Sequence, residues 1–280
     1  MVVREHTMQR IARSRWPASR SASALSILGV IIGTVSCACA EPSPAAVTAF
    51  NTYAAQVEAR IAQQHTSPQT FLASEPKDRL SRGEVIIEHL TPDPAPDMPG
   101  AMLHDWRGTA FVAGATAADF ERLMKNFAGY PQIYAPQVVK ASVLKQQGDR
   151  FETLMRVRQK HVITVVLDTT YDVTFTHLDP QHGSSISRSE RISEIQSPGA
   201  RDERVLSPSE EHGFLWRLNT YWSYEERDGG LYMQIESISL TRSIPTGLAW
   251  AIRPFVESVP RESLEFTLQA TCNALKKASH

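Results

Sequence analysis

The sequence predicts an α+β fold, in which an antiparallel sheet packs against one long C-terminal helix behind an N-terminal helical extension. Apolar and polar residues alternate through most of 138–242, which indicates consecutive antiparallel strands. Leu264, Leu268 and Leu275 then recur at helical spacing near the end of the chain. A separate helical pattern at 44–64 precedes the first strand.

The first 40 residues have the features of a secretory signal. Five arginines precede an apolar run from Ala22 to Val35, and Ala38-Cys39-Ala40 offers a cleavage site of small residues. We expect cleavage after Ala40 and export to the periplasm or the medium. The alternative is an uncleaved N-terminus that anchors the protein in the membrane.

Cleavage would change both the charge and the cysteine content. It removes five of the 29 basic residues and one of the 30 acidic residues, which leaves a net charge of −5. An acidic chain without a basic run argues against nucleic acid as a partner. Cys272 would be the only remaining thiol, so we expect no internal disulfide. The predicted organisation is an extension at 41–80 and a main domain at 81–280.

The extension and the first strands have simple patterns. In the helix predicted at 44–64, Val47, Phe50, Ala54, Val57 and Ile61 share one face. We expect the first strand at 83–90, the second at about 104–113, and a proline-rich loop between them.

A short helix is predicted after the second strand. Thr116 is its candidate N-cap, with Asp119 as the partner in a capping box. We expect Gly129 to end this helix in the left-handed conformation and Pro131 to prevent its continuation. The final helix is expected to begin at Ser258, with Pro260 in its first turn.

The clearest hairpin turns at Asp228-Gly229. A two-residue turn there places Tyr221 opposite Glu236. Because side chains alternate along a strand, the hairpin has two distinct faces. One face holds Trp216, Leu218, Trp222, Tyr224, Met233 and Ile235, and the other holds Arg217, Asn219, Tyr221, Gln234 and Glu236. We assign the aromatic face to the interior.

The order of these elements and the stretch at 108–144 resemble a known family. That stretch reads GTAFVAGATAADFERLMKNFAGYPQIYAPQVVKASVL and resembles the opening of the START-like (SRPBCC, helix-grip) superfamily, which includes polyketide cyclase/dehydrase and lipid-transport proteins. Gly129-Tyr130-Pro131 and Tyr134-Ala135-Pro136 stand where the family's short helix ends near a proline. The resemblance covers about residues 104–277. It implies a curved sheet wrapped around the final helix, with a cavity for a lipid, quinone or polyketide-like compound between them.

The leading hypothesis is therefore an exported protein that binds a hydrophobic small molecule and performs no chemistry. No catalytic, metal-binding or phosphate-binding motif stands out in the sequence, so we expect no cofactor and no metal. A transient contact with a membrane stays open, and no protein partner is predicted. The expected ligand-binding residues are Met155, Tyr171, Phe175, Trp216, Trp222, Tyr224, Met233, Ile235, Trp250 and Phe255.

Two alternatives belong to other classes of function. In the first, an enzyme of the cyclase/dehydrase type uses Tyr221, Glu236 and Arg217 as acid, base and anchoring groups. This requires that their face points into the cavity. We favour an outward face, which would form a cross-strand surface network. In the second, the cavity is filled by its own side chains, and the helix at 44–64 docks a partner at the cell envelope.

Overall fold

The computed structural model describes residues 41–73, 76–160, 164–244 and 249–278, excluding the side chains of 249–257 and 278. The helices are α1 (Pro44–Gln64), α2 (Lys77–Ser81), α3 (Ala117–Lys125), α4 (Tyr130–Ile133) and α5 (Ala249–Ala278). Single 3₁₀ turns lie at Pro68–Thr70 and Phe127–Gly129. The strands are β1 (Ile86–His89), β2 (Ala101–Ala113), β3 (Val138–Gln147), β4 (Arg150–Lys160), β5 (Thr164–Asp179), β6 (His182–Gln196), β7 (Arg204–Val205), β8 (Arg217–Arg227) and β9 (Gly230–Arg242).

All strand pairs are antiparallel, and the strand order is β1-β2-β9-β8-β6-β5-β4-β3. Short strand β7 pairs with β6 outside this path. The order places the first strands beside the last hairpin, so that β2 and β9 are neighbours although they are far apart in sequence. We call the face towards α5 the inner face and the opposite one the outer face.

The inner face carries the main apolar core. Leu264, Leu268 and Leu275 of α5 are buried in it, as their spacing predicted. Gly108 lies under this helix, and a Cβ atom there would come within 2.3 Å of the Leu268 Cδ1 atom. Close approach of α5 to the centre of β2 therefore depends on the missing side chain.

The outer face is covered by α1. Phe50, Ala54, Val57 and Ile61 of this helix are buried, while Val47 is only half-buried. They form a second apolar cluster with side chains from β2, β8 and β9, namely Leu103, Tyr221, Ile238 and Leu240. The predicted helix is confirmed, and its apolar face packs against the outer face of the chain's own sheet.

The predicted hairpin is confirmed in turn and in register. Asp228 and Gly229 have φ angles of 55° and 74°, the pair of positive values that a type I′ turn requires. Tyr221 lies opposite Glu236, and Trp222 lies opposite Ile235. Each pair therefore shares one face of the sheet.

Two expectations about helix ends are wrong. Helix α5 begins at Ala249 rather than Ser258, and it continues through Pro260. A proline inside a helix costs one backbone hydrogen bond, and here the packing of α5 on the sheet outweighs this local preference. Gly129 has a φ angle of −81°, so it is not left-handed. It closes a 3₁₀ turn that leads directly into α4, which contains Pro131.

The predicted cap of α3 is confirmed and allows a first prediction. The Thr116 side chain accepts a hydrogen bond from the Asp119 amide at 3.1 Å, and the Asp119 carboxylate accepts one from the Thr116 amide at 3.2 Å. We expect Thr116→Ala to lower the free energy of unfolding by about 1 kcal/mol in urea titrations, because the Asp119 amide loses its acceptor and the Asp119 carboxylate loses the hydrogen bond from the Thr116 hydroxyl. Thr52→Ala, at an exposed position within α1, is the control and should change it by less than about 0.5 kcal/mol.

Candidate functional site

The end of the inner face nearest to α3 is filled with apolar side chains. Tyr171, Phe175, Trp222, Tyr224, Met233 and Ile235 belong to one buried cluster there, and Met155 packs against its edge. Phe120 of α3 lies with its ring centroid 5.3 Å from Trp222 and 4.7 Å from Tyr224. These predicted ligand-binding residues therefore do face inward, and most of their surface is used in packing against the chain itself.

The middle of the inner face is different, because short hydroxyl side chains replace the aromatic ones. Thr220 lies two residues before Trp222 and pairs with Ser237 on one side and with Ser187 on the other. We call this region the hydroxyl patch and define it as Ser187, Ser189, Thr220, Ser237 and Ser239. All except Ser239 are half-buried. Side chains this short reach less far from the sheet than those of Trp222 and Ile235, one pleat further along.

Trp106 borders the hydroxyl patch on β2, opposite Ser237. The residue is half-buried, and its indole Nε1 is fully buried, with no hydrogen-bond partner in the described part of the chain. The His89 ring lies against the Trp106 ring at a centroid distance of 4.4 Å. Because buried donors in folded proteins are nearly always paired, an unpaired one on the inner face indicates a place where a bound molecule or water completes the site.

His104 lies on the next pleat of β2, opposite Ser239. Its Nε2 atom is 3.0 Å from the Thr241 hydroxyl. Burial, assisted by the neighbouring His89, lowers the pKa of His104 to about 4. The imidazole is therefore neutral at physiological pH, and the side chains that we describe around the hydroxyl patch offer hydrogen bonds without charge.

Tyr221, Glu236 and Arg217 lie on the outer face. The Tyr221 hydroxyl donates to Glu58 of α1 at 3.2 Å, and Glu236 forms an ion pair with Arg60 of the same helix. Arg217 donates to the backbone carbonyl of Trp216 at 2.7 Å. The structure does not bring these three groups together on the inner face, which the enzyme hypothesis required. It also corrects the expected surface network, because α1 covers Tyr221 and Glu236 and buries both.

Helix α1 also covers Asp105, a residue that the sequence analysis did not identify. Its Oδ2 accepts a hydrogen bond from the Tyr53 hydroxyl at 2.6 Å, while its Oδ1 is buried and has no partner within the described residues. Burial and the nearby Glu236 carboxylate raise the pKa of Asp105 to about 7. The only signal in the sequence was an acidic residue in the middle of a strand.

Trp216 precedes β8 and packs in the outer cluster with α1, so it does not line the inner face as expected. The strand alternation that placed it inside begins only at Arg217. The side chains of Trp250 and Phe255 lie outside the described residues. Cys272 of α5 is buried, and burial raises the pKa of its thiol to about 11.

Two surface clefts lie away from the hydroxyl patch. One of about 240 Å³ lies between β2 and the end of α5 and reaches Cys272 and Lys276. The other, of about 180 Å³, lies on β3–β6 and is lined by charged side chains such as Arg150 and Glu190. Both are polar and open to solvent, which suits a hydrophobic ligand less well than the inner face does.

Within the described residues, no group of His, Cys, Asp and Glu could hold a metal ion. No helix in this part of the chain has both the length and the hydrophobicity that crossing a bilayer requires.

Comparisons with known proteins find similarity in the fold alone. No protein-family model and no curated protein matches the sequence. An aromatase/cyclase from Streptomyces is 13% identical, with 64% of this chain and 97% of that chain covered and a TM-score of 0.45. A START superfamily protein from Mycobacterium smegmatis is 12% identical, with 64% and 98% covered and a TM-score of 0.41. A STAR-related lipid transfer protein from Xanthomonas axonopodis is 17% identical, with 65% and 97% covered and a TM-score of 0.41.

Sequence identities and TM-scores this low do not indicate a ligand or an activity for this chain. The fold follows from the molecule itself, through the antiparallel strand order and the final helix packed on the inner face. By these two features, the chain has the α+β helix-grip architecture that its resemblance to the START-like superfamily implied.

Proposed function

We propose that this protein binds a hydrophobic small molecule on the inner face of its sheet, at the hydroxyl patch. One observation carries the proposal. Half-buried hydroxyl groups lie beside a Trp106 N–H that has no hydrogen-bond partner among the described residues, next to the packed apolar cluster of the inner face. Small-molecule sites are typically apolar surfaces with a few polar groups of this kind.

The two parts of the inner face would contribute differently to binding. Leu218 and the Trp106 ring are half-buried and border the hydroxyl patch, so a ligand can bury apolar surface against them. Each Å² of apolar surface removed from water contributes about 25 cal/mol before the costs of association. The hydroxyl groups contribute little affinity, but they orient a ligand through hydrogen bonds.

Binding fits the described residues better than acid–base catalysis. The groups of the hydroxyl patch are serine and threonine hydroxyls, and the neighbouring His104 is a weak base because burial lowers its pKa to about 4. The candidate acid and base, Tyr221 and Glu236, lie on the opposite face. A cyclase or dehydrase using those residues in the inner site is therefore not part of the proposal.

The docking of a protein partner by α1 is not proposed either. Its apolar face is occupied by β2, β8 and β9, and its polar side chains also contact the sheet. Glu58 accepts two hydrogen bonds from Arg188 of β6, both at 2.8 Å.

Native mass spectrometry of the protein purified from its own host is the first test. Solvent extraction would then identify what is released. We expect one hydrophobic molecule per chain. A protein that arrives empty, and that also fails to bind the neutral fluorescent probe Nile red, would contradict the proposal.

Filling the space at the hydroxyl patch should abolish binding. In Ser187→Phe, the ring would occupy the volume in front of β6, and we expect the affinity for the same probe to fall at least tenfold in fluorescence titrations. Glu190→Phe adds the same ring at an exposed position of the same strand and should bind like the unmodified protein. Equal affinities for both variants would place the binding site elsewhere.

Export is a further part of the proposal, and its support is the signal-like segment at 1–40. N-terminal sequencing of the protein isolated from its host tests it. A mature chain that begins at Glu41 supports cleavage after Ala40, whereas an intact first segment in the membrane fraction supports the anchored alternative.

A further inference from the structure

The unpaired indole of Trp106 bears on which hydrophobic molecules the site accepts. An indole nitrogen carries one hydrogen and can only donate a hydrogen bond. The Trp106 Nε1 atom is fully buried and has no hydrogen-bond partner among the residues that the structure describes. The His89 ring packs against the Trp106 ring without a hydrogen bond to this nitrogen.

The side chains near Trp106 do not require one particular kind of hydrogen-bonding atom from a ligand. Serine and threonine hydroxyls can donate or accept, and they rotate to suit a partner. The Ser189 hydroxyl already accepts a hydrogen bond from the Leu218 amide at 2.9 Å, and His104 is engaged with Thr241. Among the described groups at the hydroxyl patch, Trp106 is therefore the one that lacks a hydrogen-bond partner and that can only donate.

We propose that Trp106 is a specificity-determining residue whose N–H donates to an acceptor oxygen of the ligand, so that the site selects neutral carbonyl-bearing compounds over hydrocarbons of the same shape. This inference rests on the proposed binding function. A site that must pair a buried polar group discriminates against analogues that lack the matching atom, because those analogues leave the group unpaired.

A matched pair of probes tests the selectivity. Fluorene and 9-fluorenone have the same tricyclic frame, and only fluorenone carries a carbonyl oxygen. By equilibrium dialysis, we expect the unmodified protein to bind fluorenone about fivefold to tenfold more tightly than fluorene, which is the effect of about one net hydrogen bond. In Trp106→Phe, which lacks the N–H donor, the two probes should bind with about equal affinity.

Trp216→Phe is the control, because Trp216 packs on the outer face and should not affect either probe. A second measurement uses the unmodified protein, so its result does not depend on whether Trp106→Phe folds. In ¹⁵N-labelled unmodified protein, the indole N–H proton resonance of Trp106 should move further downfield with fluorenone than with fluorene, because only fluorenone accepts its hydrogen bond.

Three outcomes would overturn the inference. Equal binding of both probes by the unmodified protein contradicts the selectivity while leaving the proposed binding function intact. An indole resonance that responds equally to both probes contradicts the role of Trp106 itself. Failure of both probes to bind the unmodified protein contradicts the proposed function and this inference together.

Discussion

Replacing Phe50 with alanine is expected to lower the free energy of unfolding by about 3–5 kcal/mol, which is the usual cost of removing a buried phenylalanine ring. Phe50 is 1% exposed, although it belongs to the extension and not to the predicted main domain. Its ring lies in the cluster that α1 forms with β2, β8 and β9. Urea unfolding followed by circular dichroism measures the change.

The adjacent residue provides the control for this prediction. Asn51 is exposed on the same helix, so Asn51→Ala should change the free energy of unfolding by less than about 0.5 kcal/mol. The comparison also separates two interpretations of α1. If Phe50→Ala cost as little as Asn51→Ala, α1 would be an independent attachment, and the hypothesis of a docking module would regain support.

Replacing Asp105 with asparagine is expected to change how stability depends on pH. Asp105 has a pKa of about 7 in the folded protein and about 3.8 as its ordinary value. Between these values the folded state holds a proton that the unfolded state has lost. Asp105 therefore makes the protein less stable as pH rises from about 4 to about 7, and the loss is complete above that range.

The expected size of this effect is on the order of 2–4 kcal/mol between pH 4.5 and pH 7.5, measured as the difference between the unmodified protein and Asp105→Asn. The charged and titratable groups facing Asp105 are Tyr53 and Arg60 from α1, Glu236 from β9 and Arg107 from β2 itself. Asparagine keeps an oxygen that can accept the Tyr53 hydroxyl and carries no charge at any pH. The variant should therefore be the more stable protein near pH 8.

Urea unfolding at several pH values checks the prediction. Asp97→Asn, at an exposed position, serves as the control and should follow the pH dependence of the unmodified protein. If the curves of Asp105→Asn and the unmodified protein ran parallel from pH 4.5 to pH 7.5, Asp105 would not hold its proton under α1.

Much of the fold could be predicted from local patterns. The apolar spacing in α1 and α5, the capping box at Thr116 and the turn at Asp228-Gly229 each depend on residues close together in sequence. The register of β8 and β9 follows from that turn, so the opposition of Tyr221 and Glu236 could be predicted as well. Local chemistry determines such features because the interacting groups are few residues apart.

The candidate site could be predicted only in part. The alternation of β8 and β9 identified Trp222, Tyr224, Met233 and Ile235 as inward residues, but it drew attention to large side chains. The serines of β6 and β9 that form the hydroxyl patch looked like ordinary polar positions. Their role depends on strands that are adjacent only in the folded sheet.

The sequence by itself determined the apolar faces of α1 and α5, the capped start of α3, the main strands, the central hairpin and the choice of the aromatic face as the inner one, because each depends on periodicity or on a short local motif. Only the tertiary structure decided which surface α1 covers. That docking buries Asp105 beside Glu236 and removes Tyr221 from the candidate site. The same holds for Trp106, whose unpaired N–H has meaning only once β2 lies beside β9. Burial and electrostatic interaction depend on which distant segments meet, and no local pattern in the chain contains that information.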